Sequence, residues 1–306
     1  MKFKGTALMA AGFLSLVLYY FFVDLPALQK ENSEKELADK ILPLDAKKVV
    51  EFSLTRNGKP ITLRRTGPNN WGLTQPLSSP GDSTEAEAFI SEIEALKKTR
   101  VVEENPKDLS IYGLGSPFMK IHFNIENKTS ETLLIGDESP MGGGLYFKRE
   151  SQPAVMMALA SQSQFQKSVY NFRDKTLLSF STGNIKRIKI NREAHPLELV
   201  KKDDVWKVSG ALGAKGDKDA IMKFLQSIQF SKIQEFVDEN PDSLELYGLH
   251  PPKLKLILEN EKGETQTLAL GNPKEDKGYY GKVNDSPTIL LTGTRLFATL
   301  SQTAVS

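Results

Sequence analysis

The sequence predicts an α+β protein: one N-terminal transmembrane helix followed by two tandem, homologous domains. Each domain is a mainly antiparallel β-sheet with one main α-helix and a short C-terminal helix. Three observations carry this: an uncharged run near the N-terminus, a repeat with a constant offset, and strand-length alternation broken once per copy by a helical stripe.

Thr6–Val23 (TALMAAGFLSLVLYYFFV) contains no charged residue over 18 positions, which at about 1.5 Å per residue spans roughly 27 Å of hydrocarbon. Lys2 and Lys4 precede it and Asp24 follows. The positive-inside bias therefore puts residues 1–5 in the cytoplasm and the rest of the chain across the membrane, as expected of a single-pass protein of the bacterial inner membrane. Tyr19 and Tyr20 fall where an interfacial aromatic belt is expected. A cleaved signal peptide is the competing reading, but its apolar core is usually about 7 to 15 residues. The best cleavage site here, after Ala27, would place Leu25 and Pro26 at the specificity positions. Ala7 and Ala11 form a small-xxx-small pair that could pack on another helix. Residues 24–40 are a charged spacer, with Gln29–Lys40 (QKENSEKELADK) lacking an apolar stripe and expected to be partly helical.

The repeat decides the domain count. WGLTQPLSSPGD and EENPKDLSIYGLGSP in the first half answer WKVSGALGAKGD and DENPDSLELYGLHPP in the second. Trp206 − Trp71, Tyr247 − Tyr112, Gly248 − Gly113, Pro252 − Pro117 and Gly271 − Gly136 all equal 135. Between Trp71 and Gly136 the offset holds without a gap at roughly a third identity, beyond what unrelated segments give. Elsewhere it slips by one: Pro196 − Pro60 is 136 and Pro287 − Pro153 is 134. The entry segments ILPL (Ile41–Leu44) and LLSF (Leu177–Phe180) also match, giving repeats at 41–176 and 177–306.

Within the first copy, Val49–Leu54 and Ile61–Arg65 are β runs separated by Asn57-Gly58, a strong hairpin signal. Trp71 begins a third strand. Asp82 and Ser83 are natural N-caps for a helix whose stripe is Ala86, Phe89, Ile90, Ile93 and Leu96, repeated by Ile221, Phe224, Leu225 and Ile228. Arg100–Glu103 and Gln234–Val237 read as strands leading into an NP-x-x-L-x-x-YGL turn. Pro117–Ile125 alternates Met119, Ile121, Phe123 and Ile125. Thr132–Ile135 is the next strand, closed by Gly136. Tyr146–Lys148 and Ala154–Met157 complete the sheet, and Gln164–Phe172 forms the short helix.

A chain with one N-terminal membrane helix and repeats carrying a Trp, an Asp-capped helix, a YGL-x-x-P turn and an L-x-[IL]-G strand end resembles the DUF4340 family. The resemblance covers nearly everything after residue 40. It implies an extracytoplasmic accessory of a membrane complex, since such proteins are often encoded beside components of gliding-type ABC transporters. It supplies no catalytic residue and no cofactor.

The residues themselves offer little chemistry. With no cysteine, thiolate metal sites, cysteine nucleophiles and an N-terminal lipid-modified cysteine are excluded. The net charge of +2, from 40 basic and 38 acidic residues mixed along the chain, is not the footprint of a nucleic-acid binder. His122, His195 and His250 stand apart without partners at ligand spacing, so no metal site is expected. Neither G-x-S-x-G nor S-x-x-K occurs in a plausible setting, and Gly142-Gly143-Gly144 precedes a strand, unlike a phosphate loop. The acid pairs Glu103-Glu104 and Asp238-Glu239 cannot flank one bond, because neighbours on a strand face opposite ways. Trp71, Trp206, Tyr112 and Tyr247 read as core anchors. No catalytic residue, cofactor or nucleic acid is expected, and a small-molecule ligand is disfavoured.

Residues common to both copies report the common fold, so a partner surface is expected where the copies differ: the loop Asp137–Leu145, with Met141 exposed and Gly143 beside it, or the seam between the domains. The function expected is a non-enzymatic interaction protein held in the membrane by Thr6–Val23. The alternative is a module binding glycan or peptide in a groove between the copies.

Overall fold

A computed structural model of the chain describes residues 3–192, 196–209 and 214–302. His195 and residues 210–213 of the second Trp motif lie outside these. The chain divides into two compact units, Met1–Asp174 and Lys175–Ser306, within two residues of the boundary expected from the repeat.

The N-terminal segment is helical throughout its described length. Helix α1 (Phe3–Tyr19) passes through one π-helical turn (Tyr20–Asp24) into α2 (Leu25–Asp39). Pro26 sits in the first turn of α2, directly after the π-helical turn; without an N–H it cannot continue the hydrogen-bond ladder of the helix at this point. From Gly12 onward an 18-residue window has a mean hydropathy of 1.4 and none of it is buried, so this helix is long and apolar enough to cross a membrane. The charged spacer is more regular than its composition suggests. It stays helical to Asp39, with Lys35 Nζ donating to Glu31 Oε1 at 2.7 Å one turn away.

In the first unit, β1 (Val49–Arg56) and β2 (Lys59–Gly67) form a hairpin through Asn57 and Gly58, both left-handed at φ 51° and 73°. Such a turn matches the twist of the strands it joins. The strands β3 (Asn70–Gln75) and β4 (Ser79–Pro80) follow, then helix α3 (Ser83–Ala95). Asp82 caps α3 by accepting from the Glu85 N–H. Then come β5 (Arg100–Glu103), β6 (Met119–Ile125), β7 (Thr129–Glu138), β8 (Leu145–Arg149), β9 (Val155–Ala158) and the single-turn helices α4 (Gln162–Phe165) and α5 (Val169–Phe172).

The second unit has β10 (Ile185–Arg192), β11 (Leu197–Lys202), β12 (Val205–Val208), α6 (Lys218–Gln229), β13 (Ile233–Asp238), β14 (Leu254–Asn260), β15 (Thr265–Lys274), β16 (Gly278–Val283), β17 (Ile289–Thr292) and α7 (Thr294–Gln302). The sheet orders are β4-β3-β2-β1-β6-β7-β8-β9-β5 and β12-β11-β10-β14-β15-β16-β17-β13, antiparallel throughout. The two match position for position, and the place of β4 at the edge is taken in the second by a single bridge between Lys207 and Lys215.

Each unit has its own core between its sheet and its main helix. In the first, Phe52 meets Trp71, Phe89 and Phe172 with ring centroids 5.3, 5.7 and 5.7 Å apart. Burying each such ring contributes about 1.5–3 kcal/mol. The expected stripe faces this core: Ala86, Phe89, Ile90 and Ile93 are all buried.

Two expectations need correction. Gln164–Phe172 is two single turns, because Ser161 and Ser168 each start a capping box and Ser168 breaks the helix that would otherwise continue. Gly136 does not close its strand either, since β7 runs on to Glu138.

Candidate functional site

The β7–β8 connection, singled out as a partner surface, is a tight hairpin in which Ser139 N donates to Gly144 O and Gly142 N donates to Ser139 O, both at 2.9 Å. Its triglycine has φ of 75°, 93° and 125°, and a Cβ on Gly144 would lie 1.7 Å from the Ala158 carbonyl oxygen. Glycine is thus required by the approach of β9. Met141 at the tip is 85% exposed, and Asp137 and Gly143 are exposed too. Leu145 is not part of this surface. It is the first residue of β8, pairs with Ala158 and is fully buried in the core, so its place in the expected loop is corrected. The carboxylate of Asp137 lies over Gly113, as Asn272 lies over Gly248 in the other unit.

The YGL turns are the most faithfully repeated feature. Tyr112 Oη donates to Glu103 Oε2 at 2.7 Å, and Tyr247 Oη donates to Asp238 Oδ2 at 2.8 Å. Each ring meets a second tyrosine edge-on: Tyr146 at 5.0 Å, Tyr280 at 5.1 Å. Gly113 and Gly248 are left-handed at φ 67° and 64°. A Cβ on Gly136 or Gly271 would lie 2.1 Å from the carbonyl oxygen of Tyr112 or Tyr247. The downstream glycine therefore lets the strand pass beneath the turn. In the first unit the turn builds a small second core from Tyr112, Leu114, Leu134, Tyr146, Val155 and Met157. Pro117 and Pro252 are half-buried at the exits of the turns.

These landmarks explain a fold. Both phenols are held up from their ordinary ionisation range, Tyr112 by donating to the Glu103 carboxylate and by burial, Tyr247 by donating to Asp238 and by burial. A phenol kept protonated this way is a donor rather than a base. Ile111 and Leu246, one residue before each tyrosine, are 67% and 74% exposed. They differ by 135 in number and show apolar surface at the same place in each copy, which the sequence reading passed over.

Trp71 and Trp206 are buried; Trp71 Nε1 donates to Glu87 Oε1 at 2.8 Å while Arg65 lies over its ring. His122 points to the face away from the core and bonds with Thr132 and Asn124. His250 is exposed. Among the described residues no three His, Asp or Glu side chains gather as a metal would need.

One cluster had no signal in the motifs. Where α2 ends, Arg149 Nε donates to Ile41 O at 2.6 Å and its Nη2 to Lys40 O at 3.1 Å. The backbone beside it is tied by Lys98 N to Asp39 O and Ile41 N to Leu96 O, both 2.8 Å. Lys40–Glu94 and Lys97–Glu36 ion pairs, each 3.6 Å, complete the junction. Arg149 is partly buried, and this lowers its pKa against the opposing pull of Glu131. The second copy has Val283 in its place (283 − 149 = 134), so only the copy attached to the N-terminal helix carries the clamp.

A family model described as a domain of unknown function, DUF4340, matches residues 71–211 and again residues 206–305. No curated protein and no solved structure gives a significant match.

Proposed function

The chain belongs to the DUF4340 family, and from that premise we propose that it is a non-enzymatic interaction protein of a membrane assembly, its two repeats held outside the cytoplasm of a bacterial cell by the N-terminal helix. The observation that carries this reading is the junction just described. An apolar helix with no buried residue in its most apolar window runs unbroken into α2, and Arg149 ties the end of α2 to the first repeat. Such a helix is suited to burial in lipid, because among the described residues nothing covers its most apolar stretch. The clamp gives the first repeat a fixed exit from the membrane.

The repeated apolar residues Ile111 and Leu246, together with Met141, supply surface of the kind partners cover. An assembly of the ABC-transporter type fits the family resemblance. The test is affinity capture of the full chain from neutral-detergent extracts. Integral membrane partners should co-purify with the native protein and fall away when Ile111 and Leu246 are both changed to Ser. A chain that brings down no membrane protein, yet melts higher with a soluble glycan or peptide, is a ligand-binding module instead.

A further inference from the structure

The end of α6 in the second repeat borders an open cavity of about 420 Å³ whose lining includes Ser227, Phe230, Lys232, Gln234, Arg295 and Thr299. None of its lining residues is acidic. Lys232 and Arg295 are exposed, and among the described residues neither has a carboxylate partner. The hydroxyl protons of Ser227, Ser231 and Thr299 go to the carbonyls of Phe224, Ser227 and Arg295, at 2.7, 2.8 and 2.9 Å. The cavity's donors are therefore the two cations and the Gln234 amide. Phe230 stands at its rim, 74% exposed, where the first repeat has Ala95 (230 − 95 = 135).

The first repeat displays what this place accepts. Lys232 corresponds to Lys97 (232 − 97 = 135), and Lys97 pairs with Glu36 in the last turn of α2. The entering backbone crosses the same position in both copies: Lys98 N donates to Asp39 O, and Ile233 N donates to Lys175 O at 2.9 Å. The register is shared, but the acid is supplied only in the first copy, by Glu36 of the Glu-Leu-Ala-Asp turn.

We propose that the cavity at the end of α6 docks an acidic helical segment of a partner protein, setting carboxylates on Lys232 and Arg295 and an apolar side chain on Phe230. The proposal names a partner's chemistry and so rests on the interaction reading above. Free phosphate would use the cations alone and leave Phe230 idle, whereas a membrane surface would also take up the ring and is separated from a peptide by the vesicle measurement below.

The full chain in neutral detergent is titrated against a fluorescein-labelled peptide of Glu31–Asp39 (ENSEKELAD) and against a copy with its four carboxylates changed to amides, read by anisotropy. The acidic peptide should bind and weaken as salt rises. Its affinity should drop at least tenfold in the Lys232→Ala/Arg295→Ala double variant and severalfold in Phe230→Ala, and be unchanged in Lys97→Ala. Both cations are exposed, and an unchanged melting temperature shows that the variant folds. Equal binding by the double variant, a loss that follows Lys97→Ala instead, or binding to phosphatidylglycerol vesicles without binding to the peptide would each overturn the proposal. Partners that still co-purify while the double variant binds peptide normally would sink this assignment alone and leave the interaction reading standing.

Discussion

Tyr112 shows how one residue ties two strands and a turn together. Its hydroxyl reaches Glu103 on β5, its ring leans on Tyr146 of β8, and its carbonyl oxygen sits where only a glycine at 136 can pass. Its phenol has a raised pKa because the charged acceptor favours the protonated form. With the folded value above the unfolded one near about 10, the bond's contribution to stability is complete below that pH. It disappears as pH climbs through the raised value. Spectrophotometric titration should find Tyr112 ionising later than exposed tyrosines. Glu103→Gln should move it back toward the ordinary range and lower stability by about 1 kcal/mol; an unmoved titration would mean the carboxylate is not its partner. At this scale the sequence was informative about what both copies share, since Trp71, Tyr112, Gly113, Gly136 and their counterparts all stand at structural positions. It was uninformative about Leu145, because a strand that starts inside a glycine-rich stretch looks like loop until its pairing with β9 is known.

Among the elements, those with strong periodicity were the legible ones. The stripe of α3 and the alternation of β6 both face the core as spaced. The α4–α5 segment misled because helix-forming residues outweighed two serines whose side chains start new turns. The α2 segment, expected to be partly helical, is helical to its end: a helix polar on every side has no stripe to read and is held by local pairs and by its continuity with α1. Its attachment could not have been read either, since Arg149 lies 108 residues from the carbonyl of Ile41 that it grips. Arg149→Ala should orphan the carbonyls of Lys40 and Ile41 and cost about 1–3 kcal/mol. Hydrogen exchange should quicken across residues 38–42 while the core of the first sheet stays protected. Lysine should not restore protection, because one ammonium cannot reproduce the guanidinium fork. Unchanged exchange in the alanine variant would remove the clamp from this account.

For the molecule as a whole, the constant offset foretold the architecture: two sheets with one strand order, each closed by its own helix and filled by its own core. What spacing could not give was the difference between the copies. The first has an arginine clamp and an acidic helix end; the second has an exposed Phe230 and two cations that no described carboxylate meets. Such differences are where a duplicated fold can divide its labour.

The central claim is that the N-terminal helix spans a membrane and carries both repeats across it. Because the chain has no cysteine, single introduced cysteines report their side of the membrane without background. Lys262→Cys, in the exposed turn between β14 and β15, should react with a membrane-impermeant maleimide in intact cells. Lys4→Cys should react only after the membrane is permeabilised. Labelling of Lys4→Cys in intact cells with Lys262→Cys protected would contradict the account.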